Sequence, residues 1–501
     1  MTALVILAAF ILIWDIALAG HVAQLRIAPR ALAALSGLAA LLAVPAFVIA
    51  IATNLGLNGR SVVGVAWIWP ATIAIFAAEA IYVTAQKLVN PLVGASIAAY
   101  DLLLLAIALA RYIGDGGAAL PFWALALVAA QATAMGAIAG PTALLSAYAV
   151  MLPIIAPAYP GRWRATRLFG ALAAGLALMG TAAVVAKFPA GAYAVASYDR
   201  YADAPIHARP EDDFAIGVRV LAAVDAPPPL IGLRNDLALV DTTGAEAMSV
   251  VIDPAGTESV PLDSLARALE PLRRDSLLLI VALGTPAEAW HRQPPATKDQ
   301  YEASRIQSLT QIARRLHPDY LLPADEPCLS APAEELSLDE WKQYLTLAAR
   351  GIHAIDPHIK VAISASTFDG RDSALYAWAA VAGSPIDVAG FSLCPGFDGA
   401  ATLEAQSRAV DRWMQALPQP PKEQWIFWTG GYPAAHGERA QELAVRGVLA
   451  WASSRSAIKG VIVGDAGDYG SITGVRAASG RLRPAAFGIS RAIHRLRDQS
   501  Q

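Results

Sequence analysis

Two adjacent carboxylates stand out first: Asp325 and Glu326, followed by Pro327, close the apolar run DYLLPADEP. Neighbouring carboxylates raise each other's proton affinity, so one can stay protonated near neutral pH and donate its proton while the other stays charged. Other chemistry-bearing residues recur just after apolar runs: Asp253 after AMSVVI, Trp290 and His291 after SLLLIVALG, Asp398 in CPGFD, Trp428, Thr429 and Tyr432 in WIFWTGGYP, Asp465 and Tyr469 in VIVGDAGDY. The set is rich in carboxylates and aromatic rings and poor in lysine. That combination suits sugars, whose C–H faces stack on aromatic rings and whose hydroxyls and glycosidic oxygens exchange hydrogen bonds and protons with carboxylates. Phosphorylated ligands want Arg, Lys or a helix N-terminus instead. No His/Cys/Asp/Glu group has metal-ligand spacing, so neither a metal nor a cofactor is expected.

The elements that must position these residues follow from the pattern around them. Short, mostly apolar runs at 214–222, 247–253, 276–284, 319–324, 359–365, 386–393, 424–429 and 459–464 read as buried parallel strands. Amphipathic helical stretches lie between them, most clearly 298–316, 336–355, 401–416 and 437–454, with 484–497 closing the chain; Ser337 and Asp339 are candidate caps of the second. Eight strands alternating with helices in about 290 residues predict an α/β fold, a (β/α)8 TIM barrel, with chemistry at the C-terminal strand ends. A doubly wound sheet is the competitor, but no Gly-rich phosphate turn follows the first strand, which leads into Ala-Pro-Pro-Pro.

The barrel is only part of 501 residues that are 56% hydrophobic and 16% charged. Residues 1–190 hold nine Lys/Arg and four Asp/Glu, a net of +5; subtracting from totals of 38 and 41 leaves 29 and 37 beyond, a net of −8. The first part is too apolar for water. Residues 2–19, 31–52, 61–84, 91–110 and 168–186 are each long enough to cross a bilayer, and 119–157 is long enough for two spans turning at Gly140-Pro141. The prediction is an all-α transmembrane bundle of six or seven helices over 1–187, a linker over 188–209 and the barrel over 210–499. The first span lacks a basic leader and contains Asp15, so it does not read as a cleaved signal. Arg162, Arg164 and Arg167 form the densest basic loop, which the positive-inside rule puts in the cytoplasm; one more crossing leaves the barrel extracytoplasmic, periplasmic if the membrane is a bacterial inner membrane. Asp15, Glu79 and Asp101 read either as interfacial or interhelical carboxylates or as functional ones. The lipid bilayer is thus one partner, and no basic patch points to nucleic acid.

At the strand ends the residues resemble the retaining glycoside hydrolases of the (β/α)8 clan of cellulases, mannanases and β-galactanases. DYLLPADEP resembles the clan's Asn-Glu-Pro acid/base motif, GFSLCPGF its Ser-x-Tyr-Pro segment, WIFWTGGYP its Trp-x-x-Glu-x-Gly-x-Pro nucleophile segment, and the tail KGVIVGDAGDYGSITG with GRLRPAAFGISRAI its strand-8 end and final helix. The resemblance implies Glu326 as acid/base. It departs where the nucleophile should be: one alignment puts Thr429 there, the other Trp428, and neither is a carboxylate. Cys394 stands at the clan's tyrosine, and Gly464 or Asp465 at its sugar-stacking tryptophan.

Three readings stay open. An active glycosidase would use Glu326 as general acid and Asp465 across the barrel as the base of an inverting mechanism. A substrate-assisted enzyme acting on N-acetylated sugars would use the Asp325-Glu326 pair, which resembles that of hexosaminidases. A pseudo-enzyme would bind a polysaccharide or oligosaccharide for a membrane-bound glycan synthase or exporter, and a transporter or sensor with the barrel as ligand domain is a further rival. Trp290, His291, Trp428, Thr429, Tyr432, Asp253, Asp398 and Tyr469 are the candidate sugar contacts. Cys328 and Cys394 follow strand ends on one face; free thiols are favoured over a disulfide, because strands 4 and 6 are not neighbours.

Overall fold

The computed structural model describes residues 2–54, 64–139, 151–158, 164–209, 213–220, 229–252, 259–273, 277–284, 298–328, 336–417, 422–468 and 473–497. Leu-, Ala- and Ile-rich sequence forms the first helices: α1 (Thr2–Gln24), α2 (Arg30–Asn54), α3 (Ile68–Ala85), α4 (Pro91–Asp115), α5 (Phe122–Ala139) and α6 (Arg164–Ser197). Asn90 caps α4, accepting from the Leu92 amide, with Pro91 at the first helical position, where its missing N–H costs nothing. Five of these helices, all but α5, are long and apolar enough to cross a membrane.

The two spans expected within 119–157 do not form among the described residues. Helix α5 ends at Ala139, and residues 151–158 form neither helix nor strand and are nearly all buried. Pro153 and Pro157 explain this: each lacks an N–H and biases its predecessor away from helical geometry. Such backbone in an apolar interior needs hydrogen-bond partners from elsewhere. Two membrane-domain carboxylates supply them, Asp101 accepting from the Ile154 amide and Asp15 from the Ile155 amide, each at 3.0 Å, while the Tyr100 hydroxyl donates to the Leu152 carbonyl at 2.8 Å. Glu79 accepts from Ser36 at 2.6 Å, tying α3 to α2. These acids are buried ties between segments, which matches the interhelical alternative.

Helix α6 is 34 residues long, about 51 Å at 1.5 Å per residue, against the ~30 Å of a bilayer core. It therefore occupies the first part of the stretch expected as a linker. Near its end Gly191 lies against α5, where a Cβ would stand 2.5 Å from the Ala130 nitrogen and 2.6 Å from the Ala126 oxygen. Only glycine permits that approach, and it joins α5 firmly to α6. A 3-10 turn, Tyr198–Tyr201, leads on towards the barrel.

The strands are β1 (Ala215–Val220), β2 (Ala247–Ile252), β3 (Leu278–Leu283), β4 (Tyr320–Leu322), β5 (Lys360–Ala365), β6 (Val388–Leu393), β7 (Gln424–Thr429) and β8 (Ile458–Asp465). They pair in sequence order, all parallel, and β8 closes on β1. Between them run α7 (Pro229–Thr243), α8 (Ser259–Arg273), α9 (Lys298–Leu316), α10 (Leu338–Ile355), α11 (Gly370–Ala380), α12 (Ala400–Gln415), α13 (Pro433–His436), α14 (Glu438–Ser453) and finally α15 (Pro484–Arg497). Ser337 caps α10 in a reciprocal capping box with Glu340, leaving Asp339 in the first turn rather than at the cap. The main core lies between strands and helices, and a second cluster including Tyr320, Trp425, Phe427 and Ile462 fills the barrel interior. The interior is therefore a packed core, and chemistry is confined to the strand ends.

Candidate active site

Asp325 and Glu326 sit just beyond β4. Their place is set from below by Arg305 of α9, a fully buried guanidinium that donates to the carbonyls of Leu283, Gly284 and Pro323 and so clamps the ends of β3 and β4 together. The Asp325 amide donates to Leu283 at 3.2 Å. From β1, Arg219 reaches Asp325 with two contacts of 3.3 and 3.4 Å. Strands 1 and 4 are well separated around the barrel, so this ion pair shows that side chains converge over its axis. The pair is largely enclosed, with side-chain exposures of 15% and 19%. The Arg219 guanidinium also lies 5.9 Å from the Trp428 ring centre, within cation–π range.

Glu326 is shielded, and burial pushes its carboxyl up to about 7, with the charge of Asp325 adding to the effect; Arg219 and the Ser392 hydroxyl pull the other way. Ser392 of β6 is itself held by Ser364 of β5 at 2.9 Å. Asp372, whose field also raises Glu326, anchors the loop after β5 by accepting from the Ser366, Thr367 and Phe368 amides at 2.6–3.0 Å. The result is a carboxyl group raised to about 7 beside an Asp–Arg ion pair, a hydroxyl donor and an aromatic ring. A group poised this way can protonate a leaving oxygen.

The end of β7 carries no carboxylate. Thr429 is fully buried, its hydroxyl without a partner among the described residues, and Trp428 is half-buried with an equally unpartnered Nε1. Asp465 ends β8, opposite β4 in the closed barrel and in register with Arg219, and accepts from the Thr473 hydroxyl at 2.6 Å. Asp398 is engaged by Thr402 at the start of α12. Asp253, Trp290, His291 and Tyr469 lie outside the described residues.

Tyr432, expected as a sugar platform, is buried at 6% exposure, and its hydroxyl meets the Cys394 sulfur at 2.7 Å. Burial pushes the Cys394 thiol up to about 12. Cys328 and Cys394 are both free thiols, so the disulfide alternative is set aside. What covers Tyr432 is the membrane domain. Ala132 of α5 packs with Tyr432 and Ala435, and Gly136 lies so close over the Phe397 ring that a Cβ would stand 2.3 Å from it. Leu125 meets Gly437. Residues 125, 132 and 136 share one helix face, while Ala126 and Ala130 on an adjacent face meet α6. Helix α5 thus lies along the rim formed by the β6 and β7 ends.

Sequence reasoning passed over Arg219 and Arg305. Each is a lone arginine at a position whose neighbours point into the core, and a charge there needs a buried partner. Ser392 was visible within GFSLCPGF without an assigned role.

No protein-family model matches the chain, and no curated protein matches it. Among solved structures it is similar to a GH113 β-1,4-mannanase (14% identity, TM-score 0.41, covering 56% of this chain and 98% of that one). A GH5_18 protein from Streptomyces cattleya in complex with GlcNAc is also similar (14%, TM-score 0.47, 59% and 82%). So is an exo-β-1,4-mannosidase from Opitutaceae bacterium strain TAV5 (13%, TM-score 0.45, 57% and 60%).

The environment of Glu326 predicts a pH-dependent stability. A carboxyl raised from 4.5 to about 7 favours the folded state fully below its ordinary value, and that advantage is lost as pH rises through about 7. Above it, ionising the group in place costs up to about 3 kcal/mol. Glu326→Gln should therefore melt above the wild type at about pH 8, with the gap closing at about pH 4. Thermal unfolding of the full chain in detergent checks this; a gap independent of pH would mean that Glu326 is an ordinary carboxylate.

Proposed function

We propose that the protein is a membrane-anchored, glycosidase-like protein whose barrel faces the extracytoplasmic side and acts on a cell-surface polysaccharide or oligosaccharide. The single observation that carries this reading is Glu326 shielded at the end of β4, beside the Arg219–Asp325 pair and Trp428. In the proposed reaction Glu326 gives its proton to the glycosidic oxygen as the bond to the anomeric carbon breaks. Asp465, on the opposite wall, takes a proton from the water that attacks the other face, which is the inverting course. Arg219 and Asp325 orient sugar hydroxyls, and Trp428 offers an apolar face to the ring. Double displacement through β7 is not part of the proposal, because Thr429 offers no carboxylate.

A second reading, a non-catalytic glycan-binding subunit of a synthesis or export complex, is favoured by the same end of β7. Thr429 is buried, and Cys394 is engaged with Tyr432 instead of a nucleophile. The substrate-assisted course on N-acetylated sugars would use Asp325 beside Glu326, but the ion pair with Arg219 already occupies that carboxylate.

A panel of oligosaccharides offered to the full chain in detergent separates these readings. The enzyme reading expects reducing ends to be released, roughly a hundredfold or more slower in Glu326→Gln, with the rate falling as pH rises through about 7 because the acid loses its proton. Binding without release, unchanged by Glu326→Gln, would establish the scaffold instead. For orientation, a C-terminal fusion to a reporter active only outside the cytoplasm should be active; activity of a cytoplasm-only reporter would reverse the topology.

A further inference from the structure

Between the membrane helices and the barrel rim lies a cavity of about 800 Å³. That is within the roughly 300–1,000 Å³ usual for small-molecule sites. Its walls differ in kind. The membrane side is mostly apolar, built from Trp69 and Ile73 of α3 and Leu104, Ile107 and Ala108 of α4, with Arg111 and Asp115 at the end of α4 and Gln131 of α5 as its polar members. The barrel side is polar and comes from the segments after β7 and β8, with Glu438, Asp468, Arg481 and Arg483. These charges are balanced: Arg483 binds Asp468 at 2.6 Å, Glu438 binds both Arg481 and Arg483, Arg439 pairs with Asp199, and Arg111 and Asp115 of α4 add one charge of each sign. A neutralised set of ion pairs offers donors and acceptors for hydroxyl groups, whereas an anion site would present surplus cations.

One edge of the cavity is close to the candidate active site. The lining residues Pro433 and Ala434 directly follow Tyr432 in the chain. Glu326 is near enough to Tyr432 and Cys394 for its charge to act on both. A ligand that fits these walls has an apolar tail and a polar, hydroxyl-bearing head. Helix α5 lies along the rim between them, so sugar and tail would meet the protein on adjoining surfaces.

We propose that this cavity holds the hydrocarbon part of a membrane-tethered saccharide, a sugar on an alkyl or prenyl chain, whose sugar end extends towards Glu326. The inference deepens the glycan reading and rests on it: the substrate class becomes a glycolipid. A phospholipid is the competing occupant.

The test uses the full chain in lipid nanodiscs and dodecyl β-glucoside, β-galactoside, β-mannoside and N-acetyl-β-glucosaminide carrying a diazirine in the chain. The expected result is that at least one of them labels the 104–113 stretch of α4. Excess unmodified dodecyl glycoside of that sugar should remove the label, and dodecanol or added phospholipid should not. Ala108→Trp, and separately Ile107→Trp in case the first misfolds, fill the apolar wall and should lower the label about tenfold. Labelling confined to lipid-facing surfaces, or displaced equally by phospholipid, overturns the proposal. The oligosaccharide panel reads the Glu326 cleft independently. A chain that binds soluble sugars but fails this test keeps its glycan function and loses the glycolipid, whereas one that binds no sugar at all loses both.

Discussion

The ion pair between Arg219 and Asp325 organises everything around it. Two adjacent carboxyl groups in a shielded cleft repel each other, and an uncompensated charge there is costly. Arg219, arriving from β1, compensates Asp325, and burial raises the proton affinity of Glu326. The same guanidinium approaches the Trp428 ring and so ties β7 to β1 and β4. Replacing Arg219 would therefore disturb three strand ends at once. Behind the pair, Arg305 keeps the β3 and β4 ends together. The cleft is held by two arginines, neither of them at a motif position.

The barrel rim is not freely presented to solvent on the β6–β8 side. The α5 face carrying Leu125, Ala132 and Gly136 lies against Gly437, Tyr432 and Phe397, and α6 holds α5 from behind through Gly191. Small residues make both approaches possible, a solution also found where helices pack in membranes. This arrangement gives the membrane domain a role beyond anchoring, because it forms one wall of the space next to the strand ends. It also accounts for Cys394 and Tyr432, whose contact with each other and with α5 is structural. Tyr432, expected as a sugar contact, lies in the joint between the two domains.

The barrel was legible because apolar runs and amphipathic stretches alternate regularly from residue 214 onward; seven strands formed within the expected stretches, and β8 overran its own by one residue at each end. The place of Asp325 and Glu326 just beyond a strand end was legible because the apolar run that precedes them forms β4. The membrane count was less legible. Hydropathy sees 119–157 as two spans, whereas the prolines at 153 and 157 and the carboxylates of Asp15 and Asp101 favour a non-helical, side-chain-satisfied segment. Tyr432 was misread because its covering partner, Ala132, is 300 residues away in sequence, and periodicity carries no information about docking between domains. Arg219 was missed because one arginine in a strand does not disclose which distant acid it will meet.

Everything proposed for the cleft turns on a Glu326 carboxyl that titrates at about 7 instead of 4.5. Infrared difference spectroscopy of the full chain, wild type minus Glu326→Gln, follows the carbonyl band of that one protonated carboxyl group as pH is raised. The band should persist through mildly acid conditions and disappear with a midpoint of about 7. A band already lost near the ordinary value of 4.5 would contradict this and remove the acid from the proposed reaction.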